Sequence, residues 1–179
     1  EHIRSLREWR YTRYGTRSIW IDVVGKTIRN YNYEEVDRLI FEVKAFIEYA
    51  GRYEQPEGKP WTAACLTFYR GQENKIREKL QKLTGREQAY AHFNLERNGR
   101  KIQIKLYTVD KFQGHEADIA FLSMVQTKRI GFMDNPNRLN VAVTRAKFQL
   151  VIIGDYKYFL RQQQSDDLRQ LAQNTERME

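Results

Sequence analysis

Two stretches of this chain concentrate residue types that handle phosphates and sugars. They are TVDKFQGHEAD, from Thr108 to Asp118, and NPNRLNVAVTRAK, from Asn135 to Lys147. In the second, Asn135-Pro136 is a helix start, with asparagine at the N-cap and proline at the first helical position, and the spacing predicts a helix over 136–147. Leu139, Ala142, Val143 and Ala146 would form its buried stripe, and Arg138 and Arg145 would share one shoulder of it. A guanidinium held there can meet a terminal phosphate through two parallel hydrogen bonds and neutralise charge that develops in phosphoryl transfer; the plainer use is a surface arginine paired with an acidic neighbour. In the first stretch, Gly114 allows close backbone approach and Glu116 can accept hydrogen bonds from a ribose hydroxyl, or the segment is an ordinary turn. Asp110 suits the holding of that turn.

The elements that must position these residues read as an alternation of short apolar strands and helices. Strands are predicted at 18–24, 61–69, 118–125 and 149–154, and helices at 32–50, 71–83, 136–147 and after Lys157. Two alternating runs flank Asn98-Gly99, a strong hairpin signal, so a hairpin near 90–107 leads into a strand ending at Thr108. Such alternation implies an α/β fold: a parallel sheet of about five strands covered by helices on both faces. Thr67 to Arg70, Thr108 to Asp110 and Gly154-Asp155 fall at strand ends, where open α/β sheets bind their ligands. Residues 1–17 read as a connector or a remnant of a preceding domain, 18–165 as the domain itself and 166–179 as a helical tail.

Lys and Arg number 31 against 23 Asp and Glu, a formal charge of +8 in 179 residues, which suits a polyanionic partner. No apolar run approaches the ~18 residues of a membrane span, and no signal peptide is visible. The lone Cys65 sits in the apolar run TAACLTF and reads as a buried, inert thiol. These features fit a reducing, cytoplasmic compartment, or the nucleus in a eukaryote. The three histidines and one cysteine are scattered, so no metal-ligand spacing exists and no metal site is expected. Gly25-Lys26-Thr27 looks like the end of a phosphate-binding P-loop, but Trp20 stands where that motif needs glycine.

Residues 108–155 resemble motifs V and VI of superfamily 1B helicases, in the second RecA-like domain of the nonsense-mediated-decay group. The pattern of that group runs (S/T)VDxFQGxExDxxxLS and then GFxxDxRRLNVAxTRA, and this chain matches nearly every fixed position. The resemblance implies a RecA-like motor domain of an ATP-dependent helicase or translocase. It implies Arg145 as the arginine finger, and Gln113, Gly114 and Glu116 on the nucleotide side, where the helical spacing from Arg145 also sets Arg138. Thr67 and Thr108 match positions whose hydroxyls touch the phosphates of single-stranded DNA or RNA, and Lys111, Lys128 and Arg129 add charge near the same edge. Another branch of the superfamily places a tyrosine–arginine pair against the γ-phosphate, which here would be Tyr69-Arg70; Arg29 is the alternative for that second arginine. ATP and Mg2+ would be held mainly by a preceding RecA-like domain, since no P-loop and no metal-binding Asp-Glu pair occur. The chain then reads as a piece of a longer polypeptide that does not hydrolyse ATP by itself. The other class of reading is a non-hydrolysing docking module for nucleic acid or protein.

Overall fold

The computed structural model describes residues 9–178. Strand propensity and burial on both faces build one sheet from β1 (Ser18–Asp22), β2 (Trp61–Thr67), β3 (His92–Arg97), β4 (Arg100–Thr108), β5 (Ala117–Ser123), β6 (Ala146–Gly154) and β7 (Glu176–Met178). Its order is β3-β4-β2-β5-β6-β1-β7, parallel except for the β3–β4 hairpin. Asn98 and Gly99 turn that hairpin at φ 51 and 77, the left-handed pair that a two-residue loop requires.

The period of two sorts each strand's side chains between two cores. Ile19, Ile21, Cys65, Phe121 and Val151 face one, packed under α1 (Tyr33–Ala50) and α2 (Arg70–Thr84). Trp20, Leu66, Leu122, Leu150 and Ile152 face the other. That side is covered by the 3-10 turn Val109–Phe112 and by α3 (Pro136–Thr144), α4 (Tyr156–Leu160) and α5 (Asp166–Gln173). The chain is therefore a RecA-like α/β domain with helices on both faces.

Four details differ from the sequence reading. The sheet has seven strands rather than about five, because the hairpin belongs to the main sheet instead of standing outside it, and β7 extends the other edge beside β1. Residues 166–178 are accordingly helical only through Gln173. Of the segment read as a connector, 1–8 lie outside the described residues, whereas Trp9, Tyr11 and Tyr14 pack into the first core. The Trp9 ring stacks on Phe148 with centroids 5.2 Å apart. Finally, the helix expected over 136–147 stops at Thr144, and Ala146 already pairs with Ala117. The β-branched Val141, Val143 and Thr144 are weak helix formers, and the open side of β5 offers the next residues a ladder of backbone hydrogen bonds.

Candidate functional site

All the parallel strands point one way, so the sheet has a carboxyl edge and an amino edge. Asp22, Gly154, Ser123, Thr67 and Thr108 fall in or next to one cross-strand row at the carboxyl edge. The chain leaves β4 at that edge and must enter β5 at the other. The segment 109–116 therefore crosses the second face along the length of β5, ~20 Å for seven residues. This crossing divides the site residues into three groups.

At the amino edge stand Arg145 and Glu116. Arg145 caps the end of α3 at φ −91, ψ −6, and its carbonyl accepts from the Ala117 amide at 3.1 Å, which fixes it beside Glu116. Its side chain is half-buried. Nε is buried without a hydrogen-bond partner, and among the described residues no carboxylate pairs with the guanidinium. The Glu116 carboxylate, well exposed, is held by Lys147 at 3.1 Å, and Lys105 donates to the Glu116 carbonyl at 3.1 Å. Burial, and then the neighbouring Lys147 charge, push the Lys105 ammonium below its usual pKa.

Midway along the face, Arg138 donates to Asp110 at 2.8 Å. Both line a cleft of about 240 Å³ together with Val109, Gln113, Asn137 and Val141. Arg138 lies two turns before Arg145, ~10 Å along the helix axis, and Arg145 stands at the cap of the helix and not within it. Gly114 takes φ 85 in an exposed turn, where a Cβ would meet nothing. Its value is therefore the left-handed backbone, not a crowded approach within this chain. His115 stacks on Tyr107 at 5.1 Å and closes the turn.

The carboxyl edge carries Thr67, Thr108, Lys111 and Arg70. Thr108 is 8% exposed and Lys111 and Arg70 are exposed, whereas Thr67 is wholly buried. The Thr67 hydroxyl accepts from the Tyr69 amide at 3.4 Å, so it shapes the turn into α2. Arg70 opens α2 just beyond Thr67, and Arg29 sits in the loop after β1. Both are at the edge opposite Arg145, so neither can join it on one phosphate within this domain. The sequence reading set Arg70 with Arg145 among the nucleotide contacts; in the fold the two stand at opposite edges of the sheet.

A buried polar network behind the carboxyl edge adds residues that the sequence reading passed over. Glu35 accepts from the Ser123 hydroxyl at 2.6 Å and from the Val125 amide at 2.8 Å. Gln72 donates to Ser123 at 2.9 Å, and Asn32 donates to Glu35 at 3.4 Å. Burial drives the Glu35 carboxyl up to about 8. The spacing of Asn32 and Glu35, N-cap and third helical residue, is a capping-box signature that could have flagged the pair.

An unpaired guanidinium next to an exposed carboxylate suits the terminal phosphate and the ribose of a nucleotide. Among the described residues no three His, Cys, Asp or Glu side chains come together in a group that could hold a metal ion. Gly25-Lys26-Thr27 is no P-loop either: the Thr27 hydroxyl is taken by the Val125 carbonyl at 2.6 Å.

Comparison with known proteins bears on the family and the fold. A family model described as the AAA domain matches residues 5–157. The regulator of nonsense transcripts 1 homolog of Drosophila melanogaster is 37% identical over 108 residues, 59% of this chain and 8% of the relative. A helicase required for RNAi-mediated heterochromatin assembly in Schizosaccharomyces pombe is 32% identical over 65% of this chain and 11% of its own length. An uncharacterized ATP-dependent helicase of Methanocaldococcus jannaschii is 31% identical over 70% of this chain and 15% of its own length. The chain thus spans a small part of each of these relatives. Among solved structures, the large terminase of a thermophilic bacteriophage in complex with ATP-gamma-S superposes with a TM-score of 0.52 at 14% identity. That match covers 97% of this chain and 42% of the terminase, and it supports the fold alone.

Proposed function

The chain belongs to the AAA domain family, and from that premise we propose that it is the second motor domain of an ATP-dependent nucleic-acid helicase or translocase. Its amino edge closes over a nucleotide held mainly by a preceding RecA-like domain of the same polypeptide, which also supplies the phosphate cradle and the magnesium site. The observation that carries this reading is Arg145, a half-buried guanidinium whose Nε has no partner. An uncompensated cation in such a setting is costly unless an anion arrives, and a transferring phosphoryl group is an anion whose charge grows as it reacts.

In this reading Arg145 steadies the developing charge on the terminal phosphate, and Glu116, oriented by Lys147, accepts from a ribose hydroxyl. Gln113 and Arg138 border the cleft behind that edge. At the carboxyl edge Thr108, Lys111 and Arg70 grip the backbone of single-stranded DNA or RNA through contacts that read no base. The sheet joins the two edges rigidly, so closure on nucleotide at one edge moves the grip at the other.

The test is nucleic-acid-stimulated ATP hydrolysis by the parent polypeptide carrying Arg145→Ala. Turnover should fall on the order of 10³-fold, with nucleotide binding nearly unchanged, because the contact strengthens only as charge develops. Arg145→Lys should recover little, since a point charge lacks the planar fork. Near-full turnover in a variant with an intact circular dichroism spectrum would overturn the finger assignment and favour a non-hydrolysing docking module.

A further inference from the structure

We propose that the loop between β1 and α1, with the first turns of α1 and α2, forms a base-stacking platform for single-stranded nucleic acid. Tyr31 and Tyr33 supply the rings, and Arg29, Arg70 and Lys75 the phosphate partners. The inference rests on the nucleic-acid reading of the carboxyl edge.

The loop is built to stay in place. Gly25 lies so close to Asn32 that a Cβ would stand 2.3 Å from its Oδ1. The Thr27 hydroxyl is pinned to the Val125 carbonyl at 2.6 Å and lies 3.0 Å from that of Thr127. Ile28 and Tyr31 exchange two backbone hydrogen bonds, 2.9 and 3.2 Å, around the tip Arg29-Asn30. At that tip Arg29 takes φ 55, a left-handed conformation that costs a non-glycine residue ~1 kcal/mol. The Asn30 carbonyl then rests against Gly71, 3.1 Å from where a Cβ would be, so the tip is seated on the start of α2 four residues past Thr67. Strain held this way marks a shape that is kept for use.

What the loop presents is apolar rings among cations. Val24, Ile28 and Tyr33 are 76%, 41% and 43% exposed, three of the six large hydrophobic side chains most exposed among the described residues. The Tyr31 and Tyr33 rings meet at 5.0 Å between centroids, and the Lys75 ammonium lies 5.5 and 5.7 Å from them. Lys26 and Arg29 on the loop and Arg70 at the start of α2 are exposed as well, against the acidic Glu34 and the Glu78 that pairs with Lys75 at 3.7 Å. Positive charge therefore prevails. Aromatic faces framed by cations match an unpaired strand, whose bases offer flat π-surfaces and whose phosphates follow at short intervals. A duplex hides its base faces and would leave the rings idle.

The experiment compares the whole chain with Tyr31→Ala/Tyr33→Ala and Tyr31→Phe/Tyr33→Phe double variants. Fluorescence anisotropy follows labelled oligouridylate, oligothymidylate and an abasic version of the latter, with thermal melts as folding controls. Stacking on one base is worth roughly a 5- to 150-fold change in affinity, so the alanine pair should lose on the order of tenfold or more on base-bearing strands. The phenylalanine pair should bind as the parent does, and the abasic strand should not distinguish the three proteins. Alanine variants that bind base-bearing strands as tightly as the parent overturn the platform while leaving the edge intact. If the unaltered chain binds no single strand even at low salt, the nucleic-acid reading of the whole edge fails and the platform with it.

Discussion

Glu35 shows at the scale of one residue how this domain uses a charged group for shape. The carboxyl is completely buried, and its partners include the Ser123 hydroxyl, the Val125 and Met124 amides and the Asn32 side chain, with no cation among them. It holds Val125 at φ 69, unusual for a β-branched residue, and so sets the turn that leaves β5. Burial, only partly offset by those hydrogen bonds, raises the carboxyl from 4.5 to about 8. Below pH 4.5 both folded and unfolded chains hold the proton and the contribution to stability is complete. Between 4.5 and 8 the unfolded chain releases it while the folded chain does not, so stability should fall as pH rises through that window and level off above it. Glu35→Gln keeps an acceptor for Val125 and has nothing to titrate. The stability read by denaturant unfolding across this range should fall more steeply with rising pH in the parent than in the variant. Parallel curves for the two proteins would mean that Glu35 titrates as an ordinary carboxyl. Arg145 is the converse case, a cation with no carboxylate partner among the described residues, and its test by turnover belongs to this same scale.

Among the elements, α3 determines how far apart the arginines lie. It is short, nine residues from Pro136 to Thr144, and an isolated helix of that length is unstable in water. Its support is the Asn135 side chain, which accepts from the Asn137 and Arg138 amides at 3.0 and 3.3 Å, together with Leu139 and Ala142 buried on the second core. Asn135→Ala should therefore cost about 1 kcal/mol. Asp110→Ala removes only a partly exposed ion pair with Arg138 and should cost less than about 1 kcal/mol. Urea melts of the two variants rank these effects. A larger loss at Asp110 would show that the crossing segment, rather than the cap, holds α3. The segment 109–116 itself is pinned by Phe112 in the second core and by His115 stacked on Tyr107, which leaves Gln113, Gly114 and Glu116 exposed along its outer side.

At the scale of the whole molecule, the two edges have different chemistry. The amino edge carries the unpaired Arg145 and the exposed Glu116, and the carboxyl edge carries basic and aromatic side chains around buried supports. The one glycine–lysine–threonine run, the sequence's nearest match to a phosphate-cradling loop, is committed to the loop after β1, where Val125 takes its threonine hydroxyl. The chain alone should thus bind an ATP analogue with magnesium only weakly. Isothermal titration calorimetry reads this directly, and a micromolar dissociation constant for the isolated chain would sink the two-domain arrangement.

Much of this was legible along the chain, because strand periodicity, the Asn98-Gly99 turn, the Asn135-Pro136 helix start and the two motif stretches depend on residues close together in sequence. The α/β class, the hairpin and the family resemblance follow from these local patterns. Which edge each motif occupies does not. Thr108 and Glu116 are eight residues apart, yet the direction of β5 in the sheet carries them to opposite edges, and that direction exists only once β5 has paired with β2 and β6. The burial of Thr67, the ring of Trp9 against Phe148 and the bond from Ser123 to Glu35 likewise join residues far apart in the chain. Their geometry comes from close packing and from the need to satisfy buried polar groups, constraints that act through space and leave little trace in any short window of sequence.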